Sequence, residues 1–286
     1  MMDRIFNLLK QPDIRKQPFK ALVKRALWKL HWLTKRKPMV LRNWYANLNI
    51  ILPKSGNAAQ VFYRRHSSIG IVRVMEKILK PGDVAIDIGA HIGEYTLIAA
   101  HLVGSMGIVY AIEPQPECVH YLHQNCEMNG LKNVKICQLA VGDLSGSVSF
   151  KHDPRSWGGL IVSEGGNLIV ECIRLDDFME REGLKECAFI KIDAAGNEIA
   201  VLKGGISLFT SPNSPMVVCK LYHPQVVKER FGYEGVQILK LLEEWGFKTK
   251  ALLEDNPVEV TSDNYYKLFE SGVYSFPIFA WRENKC

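Results

Sequence analysis

The loop best suited to bind a small molecule follows an apolar segment that contains one acidic residue. The stretch VAIDIGAHIGEYT (84–96) runs through Asp87 to Gly89 and Gly93, after which a helix-like pattern begins. Glycine at position 89 allows backbone to approach a ligand, and glycine at position 93 allows helix and strand to pack closely. The loop is therefore a candidate cofactor site, and the simpler alternative, that Asp87 only caps the loop, stays open.

The next apolar segment ends on a second acid and indicates the kind of cofactor. In VYAIEP (109–114), Glu113 is placed to accept hydrogen bonds from both hydroxyls of a ribose, and Pro114 can pack against a purine. The spacing D-x-G-x-x-x-G differs from the dinucleotide fingerprint, and no Lys-Ser/Thr pair indicates a P-loop. Loop carbonyls and Asp87 suit the cationic sulfonium of S-adenosyl-L-methionine, which is the cofactor that we predict.

The third apolar segment, QLAVGD (138–143), is expected to border the adenine ring. By position, Ala140 and Val141 lie at the edge of the ring, and Asp143 reaches its amino group. Asp143 fits an ordinary turn residue before Ser145 equally well. Both interpretations of Asp143 stay open.

These segments belong to a regular alternation of apolar strands and helices. Such alternation predicts an α/β fold with a doubly wound, mostly parallel sheet that is covered on both faces and binds ligands at the carboxyl ends of its strands. The predicted strands of this sheet are 83–89, 107–114, 134–140, 187–193, 215–221, 247–253 and 276–281. Helices are predicted at 68–79, 93–103, 116–129, 197–207 and 234–245, and extra antiparallel strands at 147–152 and 167–173.

An N-terminal extension, residues 1–67, precedes the predicted main domain, residues 68–286. Residues 18–34 carry apolar side chains at three- and four-residue steps, which predicts an amphipathic helix that Pro38 prevents from continuing. Residues 47–63 predict a hairpin in which LNIILP pairs with QVFY.

The basic character of the chain is concentrated in this extension. Residues 1–42 contain twelve Lys or Arg and two Asp, whereas the net charge of the whole chain is +6. Three interpretations of the basic helix stay open, namely packing on the domain, peripheral contact with an anionic membrane surface, and contact with nucleic acid. The first is favoured and the third is disfavoured.

Composition excludes several classes of protein. The chain has 286 residues, 47% of them hydrophobic, which is typical of a globular protein. No stretch reaches the roughly 18 unbroken apolar residues of a membrane span, and the N-terminus lacks the pattern of a signal peptide. The seven cysteines form no C-x-x-C pair and no cluster has metal-ligand spacing. We expect reduced, buried thiols in a cytoplasmic protein without a metal site.

Five motifs follow one another along the chain: PGDVAIDIGAHIGEYTLIAA, VYAIEPQPECVHYLHQNCEMNGLKNV, AVGD, IRLDDF and FIKIDAAGNEIAVLKGG. In this order and spacing they resemble the FkbM family of S-adenosylmethionine-dependent methyltransferases over about residues 70–222. The resemblance implies a seven-stranded, Rossmann-like methyltransferase sheet. It also implies methyl transfer to a hydroxyl of a sugar, glycolipid or natural-product acceptor. It also implies that the cofactor is bound by Asp87, Gly89, Ala90, Gly93 and Glu113, and that Asp193 lies near the methyl group.

The acceptor side departs from the family pattern. Family members are similar to K-I-D-V-E-G after the fourth strand, whereas this chain has Ala195 in place of the second acid. The following strand carries Lys220 where the family tends to have a glutamate. Both departures remove a negative charge from the mouth of the site.

An alcohol acceptor must lose its proton as its oxygen receives the methyl group. The candidates for this catalytic role are Asp193, at the end of the fourth strand, and His223, just after the fifth. Asp193 also fits a helix-capping residue. His91 lies in the cofactor loop and is expected to donate a hydrogen bond to the carboxylate of the cofactor.

Two further functions stay open beside the O-methyltransferase that we favour. The stretch EPQPECVHYLHQNCEMNGLKNV is also similar to part of some tRNA guanosine methyltransferases, although no RNA-binding module or base-methylation motif is recognisable. The residues at 195 and 220 also fit a catalytically impaired cofactor-binding or scaffold protein that residues 18–34 tether to a membrane.

Overall fold

A computed structural model describes residues 12–54, 57–153, 158–162, 165–253, 257–270 and 273–283. The chain divides into two units, Met1–Ile69 and Gly70–Cys286. The described elements of the first unit are α1 (Pro12–Lys16), α2 (Pro18–Thr34), β1 (Met39–Tyr45), β2 (Leu48–Leu52) and α3 (Ala58–Arg64).

The predicted amphipathic helix is confirmed as α2, from Pro18 to Thr34. It packs on its own unit through Ala21 and Trp28, and the Trp28 ring lies 5.5 Å from that of Phe62. The apolar stripe that predicted the helix lies on the opposite face and is exposed, at Phe19, Leu22, Val23, Leu27, Leu30 and Leu33.

The hairpin prediction for residues 47–63 is wrong. LNIILP belongs to β2, but its partner is the preceding strand β1, with Met39 opposite Leu52. The turn between them has positive φ at both Ala46 and Asn47, as two-residue hairpin turns of type I′ require. QVFY lies in helix α3 and not in a strand. Its aromatic and β-branched residues favour a strand locally, and this propensity is overridden by tertiary packing.

From Ile69 onward the structure describes twelve strands and nine helices. The strands are β3 (Val84–Ile88), β4 (Ile108–Ile112), β5 (Val134–Cys137), β6 (Ala140–Gly142), β7 (Gly146–Asp153), β8 (Gly158–Val162), β9 (Leu168–Arg174), β10 (Phe189–Ile192), β11 (Met216–Tyr222), β12 (Lys248–Ala251), β13 (Val258–Glu259) and β14 (Ser275–Trp281). The helices are α4 (Ile69–Ile78), α5 (Glu94–Val103), α6 (Pro116–Met128), α7 (Leu175–Arg181), α8 (Glu198–Gly204), α9 (Ile206–Thr210), α10 (Pro224–Phe231), α11 (Val236–Glu244) and α12 (Tyr265–Phe269).

The large sheet has eight strands in the order β13–β12–β14–β11–β10–β3–β4–β5. Pairing is parallel from β5 to β11, and β14 is antiparallel to both of its neighbours. The predicted doubly wound α/β sheet is confirmed, and the eighth strand is the two-residue edge strand β13. Chain order reverses between β3 and β10, which is where sheets of this kind open a crevice for ligands.

A second sheet of four strands has the order β6–β9–β7–β8. The predicted strand 134–140 is in fact two strands, because β5 pairs in the large sheet whereas β6 pairs with β9. The predicted antiparallel pairing of the extra strands is confirmed between β7 and β9. Strand β8 was not predicted. The small sheet has its own buried cluster of Ala140, Phe150, Val170 and Cys172.

Most predicted helices are confirmed within a few residues. One predicted helix is divided in two, and several short helices lie outside the predicted ones. The predicted helix 197–207 is divided into α8 and α9 at Gly205. Helices α7, α10 and α12 have eight residues or fewer and were not predicted, because so few turns give no clear periodicity. No helix among the described residues is long and apolar enough to cross a membrane.

Candidate functional site

The loop after β3 is held against the ends of its two neighbouring strands. The amides of Gly89 and Ala90 both donate to the carbonyl of Ile112, at 2.9 and 3.0 Å. Gly89 has a φ of +76°, and a Cβ there would lie 1.9 Å from the carbonyl oxygen of Asp193. Glycine is therefore required at position 89 because the loop touches the end of β10.

Gly93 makes a different close approach, at the start of α5. Its φ is +92°, and a Cβ there would lie 2.4 Å from Leu122 Cδ1 on α6. Gly93 thus allows α5 to approach α6. The sequence had instead predicted a close approach between helix and strand at this position.

Asp87 is the centre of a buried ion pair between adjacent strands. Its Oδ1 lies 2.8 Å from Lys191 Nζ, and its Oδ2 accepts a 2.7 Å hydrogen bond from Thr96 Oγ1. Lys191 also donates to the carbonyl of Gly89 at 3.0 Å. Burial alone would lower the pKa of Lys191, but the Asp87 and Asp193 carboxylates outweigh it and raise that pKa. Asp87 therefore holds the loop after β3 indirectly, through Lys191.

A cavity that is partly open to solvent lies above these strand ends. The predicted site residues that line it are Gly89, Glu113, Pro114, Ala140, Val141 and Asp193. The small sheet supplies a wall that the sequence did not reveal, formed by Phe150, Gly159 and Ile161. Those residues carry no signal of their own, because their role depends on how β7 and β8 fold beside the large sheet.

Glu113 lies in the cavity wall with both carboxylate oxygens engaged. Oε2 accepts from the amide of His91 at 2.9 Å, and Oε1 accepts from the amide of Gln115 at 3.0 Å. Burial raises the pKa of Glu113 to about 7, although these hydrogen bonds oppose the shift. Each oxygen of a carboxylate has a second lone pair, so Glu113 can hold the loop and still accept from a ligand.

Asp193 also lines the cavity and is held by two side chains of β11. Its Oδ2 is 3.1 Å from Lys220 Nζ, and its Oδ1 is 3.4 Å from the hydroxyl of Tyr222. Burial alone would raise the pKa of Asp193, but the ammonium groups of Lys220 and Lys191 outweigh it and lower that pKa. Asp193 is thus an ionised carboxylate at neutral pH.

The tight loop after Asp193 is fixed by Glu198. This buried carboxylate accepts from the amides of Ala194, at 2.9 Å, and Gly196, at 3.0 Å. Ala195 has a φ of +51° and lines the cavity. Burial, with a contribution from the Asp193 charge, raises the pKa of Glu198 to about 7. Glu198 therefore binds the loop amides, and the carboxylate of Asp193 is directed to β11.

The remaining predicted site residues lie away from the cavity lining. His223 caps α10, since its Nδ1 accepts from the amide of Gln225 at 3.3 Å. His91 has a φ of +52°, and burial lowers its pKa to about 4, so its imidazole is neutral. Asp143 is exposed just after β6. Within the described part of the chain, no group of three or more His, Cys, Asp or Glu could hold a metal ion.

Comparison with known proteins now decides the family. Residues 87–249, more than half of the chain, match the model of the methyltransferase FkbM domain. The chain belongs to the FkbM methyltransferase family. The family is one of S-adenosyl-L-methionine-dependent methyltransferases, whose cofactor is S-adenosyl-L-methionine.

Individual relatives in this class are distant. The chain is 26% identical to the hexuronic acid methyltransferase AglP of Haloferax volcanii over 148 residues, which are 51% of this chain and 60% of AglP. It is 24% identical to a probable cobalt-precorrin-6B C(15)-methyltransferase of Saccharolobus solfataricus, over 44% of this chain and 70% of that protein. A crystal structure of an FkbM methyltransferase from Methylobacillus flagellatus KT aligns with a TM-score of 0.44 at 13% identity, over 78% of this chain and 52% of that one.

The chemistry of the cavity fits this cofactor. Its walls combine apolar side chains with the buried Glu113 carboxylate, as an adenine ring with an attached ribose requires. Gln115 also lines the cavity, and its Oε1 is a buried acceptor without a hydrogen-bond donor among the described residues. A buried acceptor of this kind is costly unless a ligand or water donates to it.

Proposed function

We propose that the chain transfers a methyl group from S-adenosyl-L-methionine to a hydroxyl oxygen of a sugar, glycolipid or natural-product acceptor. The observation that carries this proposal is that two carboxylates, Glu113 and Asp193, line one cavity, and we assign Glu113 to the methyl donor and Asp193 to the acceptor. A sugar is the acceptor class that we favour, because AglP methylates a hexuronic acid.

On the donor side, we assign the two hydroxyls of the ribose to Glu113. Pro114, Ala140 and Val141 form the apolar wall for the adenine ring, and Gln115 Oε1 accepts from its amino group. Gly89 brings the loop backbone toward the rest of the cofactor. Asp87 and His91 position the other groups and do not contact the cofactor in this proposal. Asp87 is paired with Lys191, and the His91 amide donates to Glu113.

On the acceptor side, Asp193 orients the hydroxyl and receives its proton. When bound, S-adenosyl-L-methionine would supply an electrophilic methyl group to the acceptor oxygen and would leave as a neutral thioether that keeps the electrons of the carbon–sulfur bond. The hydroxyl becomes strongly acidic as the new bond forms, so a carboxylate with a low pKa is sufficient as the final proton acceptor. His223 is less suited, because its Nδ1 already caps a helix.

Lys220 has a role beyond neutralising Asp193 in this proposal. Its ammonium uses one donor on Asp193 and is only partly buried, with 28% of its side chain exposed. The remaining donors are free to bind an acidic group of the acceptor, as the carboxylate of a hexuronic acid would provide. The change from a glutamate to Lys220 then selects anionic acceptors.

Two measurements on the unmodified full chain test this function. Calorimetry with S-adenosyl-L-homocysteine should show one site per chain, and absence of binding would overturn the proposal. Transfer of label from methyl-tritiated S-adenosyl-L-methionine should be seen with a hexuronic-acid oligosaccharide and more weakly with its neutral hexose counterpart. Binding without transfer to any sugar, glycolipid or polyketide-type alcohol would favour the catalytically impaired alternative.

We propose a reducing, cytoplasmic location for this reaction. Six cysteines among the described residues are free and buried, at positions 118, 126, 137, 172, 187 and 219. Free thiols persist where glutathione and thioredoxin keep them reduced. Detection of the protein only in an oxidising compartment would contradict this location.

A further inference from the structure

Helix α2 exposes a continuous apolar face. Six of its large apolar side chains are between 41% and 81% exposed, namely Phe19, Leu22, Val23, Leu27, Leu30 and Leu33. At 100° per residue these positions fall within one arc of about 140° along the helix. A surface helix of a globular protein normally buries its apolar arc, so this face is available for a partner.

The opposite face of α2 already holds the helix in its unit. Lys24 Nζ donates to the carbonyl of Tyr63 at 2.8 Å, and Arg25 Nη1 lies 2.6 Å from Asp13 Oδ2. Trp28 is buried between these polar contacts. The apolar face is therefore not needed to fold the unit.

Basic residues surround this apolar face. By helical position, Lys20 and Lys29 lie on its two borders, and both are exposed. Further exposed Lys and Arg lie next to the ends of the helix, at Arg15, Lys16, Lys35, Arg36 and Lys37.

Acidic residues are scarce in the same part of the chain. No Asp or Glu occurs between Asp13 and Glu76, and Asp13 is neutralised by Arg25 and Arg64. The N-terminal unit, residues 1–69, contains 15 Lys or Arg and two Asp, whereas residues 70–286 contain 21 Lys or Arg and 28 Asp or Glu.

We propose that the apolar face of α2 binds the surface of an anionic lipid bilayer, with the helix lying in the plane of the surface. The six apolar side chains enter the boundary between headgroups and acyl chains, while Lys20 and Lys29 reach the acidic headgroups. The helix has 17 residues, about 25 Å in length, and lies on the surface without crossing it.

The chemistry of this face favours lipid over the other partners. A nucleic acid binds a basic face, whereas the centre of this face is apolar and its charges lie at the borders. A second copy of the chain, packed face to face, would bring the lysine borders of two helices together. An anionic bilayer satisfies the apolar centre and the basic borders at once.

Binding of the full chain to sedimented vesicles tests the proposal. The chain should bind vesicles of phosphatidylcholine with 30% phosphatidylserine and bind pure phosphatidylcholine much less. The double variant Leu22→Ser/Leu30→Ser should abolish binding. The variant Lys20→Glu/Lys29→Glu should reduce the partition coefficient by at least about 25-fold, from about fivefold for each basic residue.

Matched changes in the second unit serve as controls. Met106→Ser/Ile169→Ser removes two exposed apolar residues, and Lys203→Glu/Lys240→Glu reverses two exposed lysines on helices. Both should bind vesicles as the wild type does. Equal binding by wild type and Leu22→Ser/Leu30→Ser, or equal loss in the controls, would overturn the proposal.

Two measurements check the other partners. Light scattering should give the same molar mass for wild type and Leu22→Ser/Leu30→Ser, and a dimer that only the wild type forms would assign the face to a second copy. Salt-sensitive binding of tRNA that Leu22→Ser/Leu30→Ser weakens would assign it to nucleic acid. All variants should bind S-adenosyl-L-homocysteine normally, which separates this inference from the fate of the proposed function.

Discussion

The Lys220 ammonium lies 3.1 Å from the Asp193 carboxylate, so this acid in the cavity lining has its own counter-ion. The two residues come from adjacent parallel strands, Lys220 from β11 and Asp193 from the end of β10. Tyr222, two residues along β11, donates to the second oxygen. The end of β10 thus sets the backbone position of Asp193, and side chains of β11 set the direction of its carboxylate.

Replacing Asp193 should separate catalysis from cofactor binding. In Asp193→Asn the amide keeps the shape of the side chain but cannot accept the proton of the acceptor hydroxyl. We expect kcat to fall by about 100-fold or more, with the Kd for S-adenosyl-L-homocysteine unchanged within about twofold. Steady-state kinetics and calorimetry give the two values. Asp263→Asn, at an exposed position, is the matched control, and full activity of Asp193→Asn would remove Asp193 from the mechanism.

Removing Lys220 should move the acid limb of the pH–rate profile. The Lys220 ammonium lowers the pKa of Asp193, so Lys220→Met lets that pKa rise and the acid limb of kcat/KM shifts to higher pH. The same variant should raise KM by about tenfold or more for a hexuronic-acid acceptor and change it little for a neutral sugar. Lys203→Met controls for loss of a surface lysine, and an unshifted limb would contradict the coupling.

Cofactor affinity should depend on the ionisation of Glu113. Burial raises its pKa to about 7, and only the ionised carboxylate accepts from both ribose hydroxyls. With a pKa near 7 the ionised fraction falls about tenfold from pH 8 to pH 6, so affinity should fall by a similar factor. Methylthioadenosine is the appropriate probe, since it has no amino-acid group that titrates in this range. Glu113→Gln should bind weakly and without pH dependence.

The buried pair of Asp87 and Lys191 should dominate the stability of the strand ends. Lys191→Met leaves a buried carboxylate without a cation, and we expect the free energy of unfolding to fall by about 3–5 kcal/mol. Urea denaturation measures the loss. The double variant Asp87→Asn/Lys191→Met should recover at least half of it, because neither charge is then left alone. A double variant no more stable than Lys191→Met would show that the charge imbalance is not the cause.

The sequence predicted those features of the site that depend on local chain order. Asp87, Gly89 and Glu113 come at the ends of apolar segments, and strand–helix alternation is sufficient to bring such ends to one edge of a sheet. The contact between Asp87 and Lys191 joins residues 104 positions apart, so it depends on strand register that the alternation does not specify. The sequence shows that Ala195 replaces an acidic residue of the family pattern. It does not show which residues surround Ala195 in the fold.

Errors in the fold came from places where local preference and tertiary packing disagree. The segment QVFY has the composition of a strand but forms a helix, and β2 pairs with β1 instead. Strand β8 contains Gly158 and Gly159, which weaken the strand pattern, and it forms by pairing with β7. The cavity wall formed by β7 and β8 could not be predicted either, because it depends on this pairing.

The close approach of Gly89 to the carbonyl of Asp193 joins the loop after β3 to the end of β10. A side chain at position 89 would collide with the carbonyl oxygen of Asp193, so neither the loop nor the end of β10 can change here without the other. In the proposed mechanism, changes of acceptor are then expected in the side chains of β11 and in the small sheet, and not at this contact.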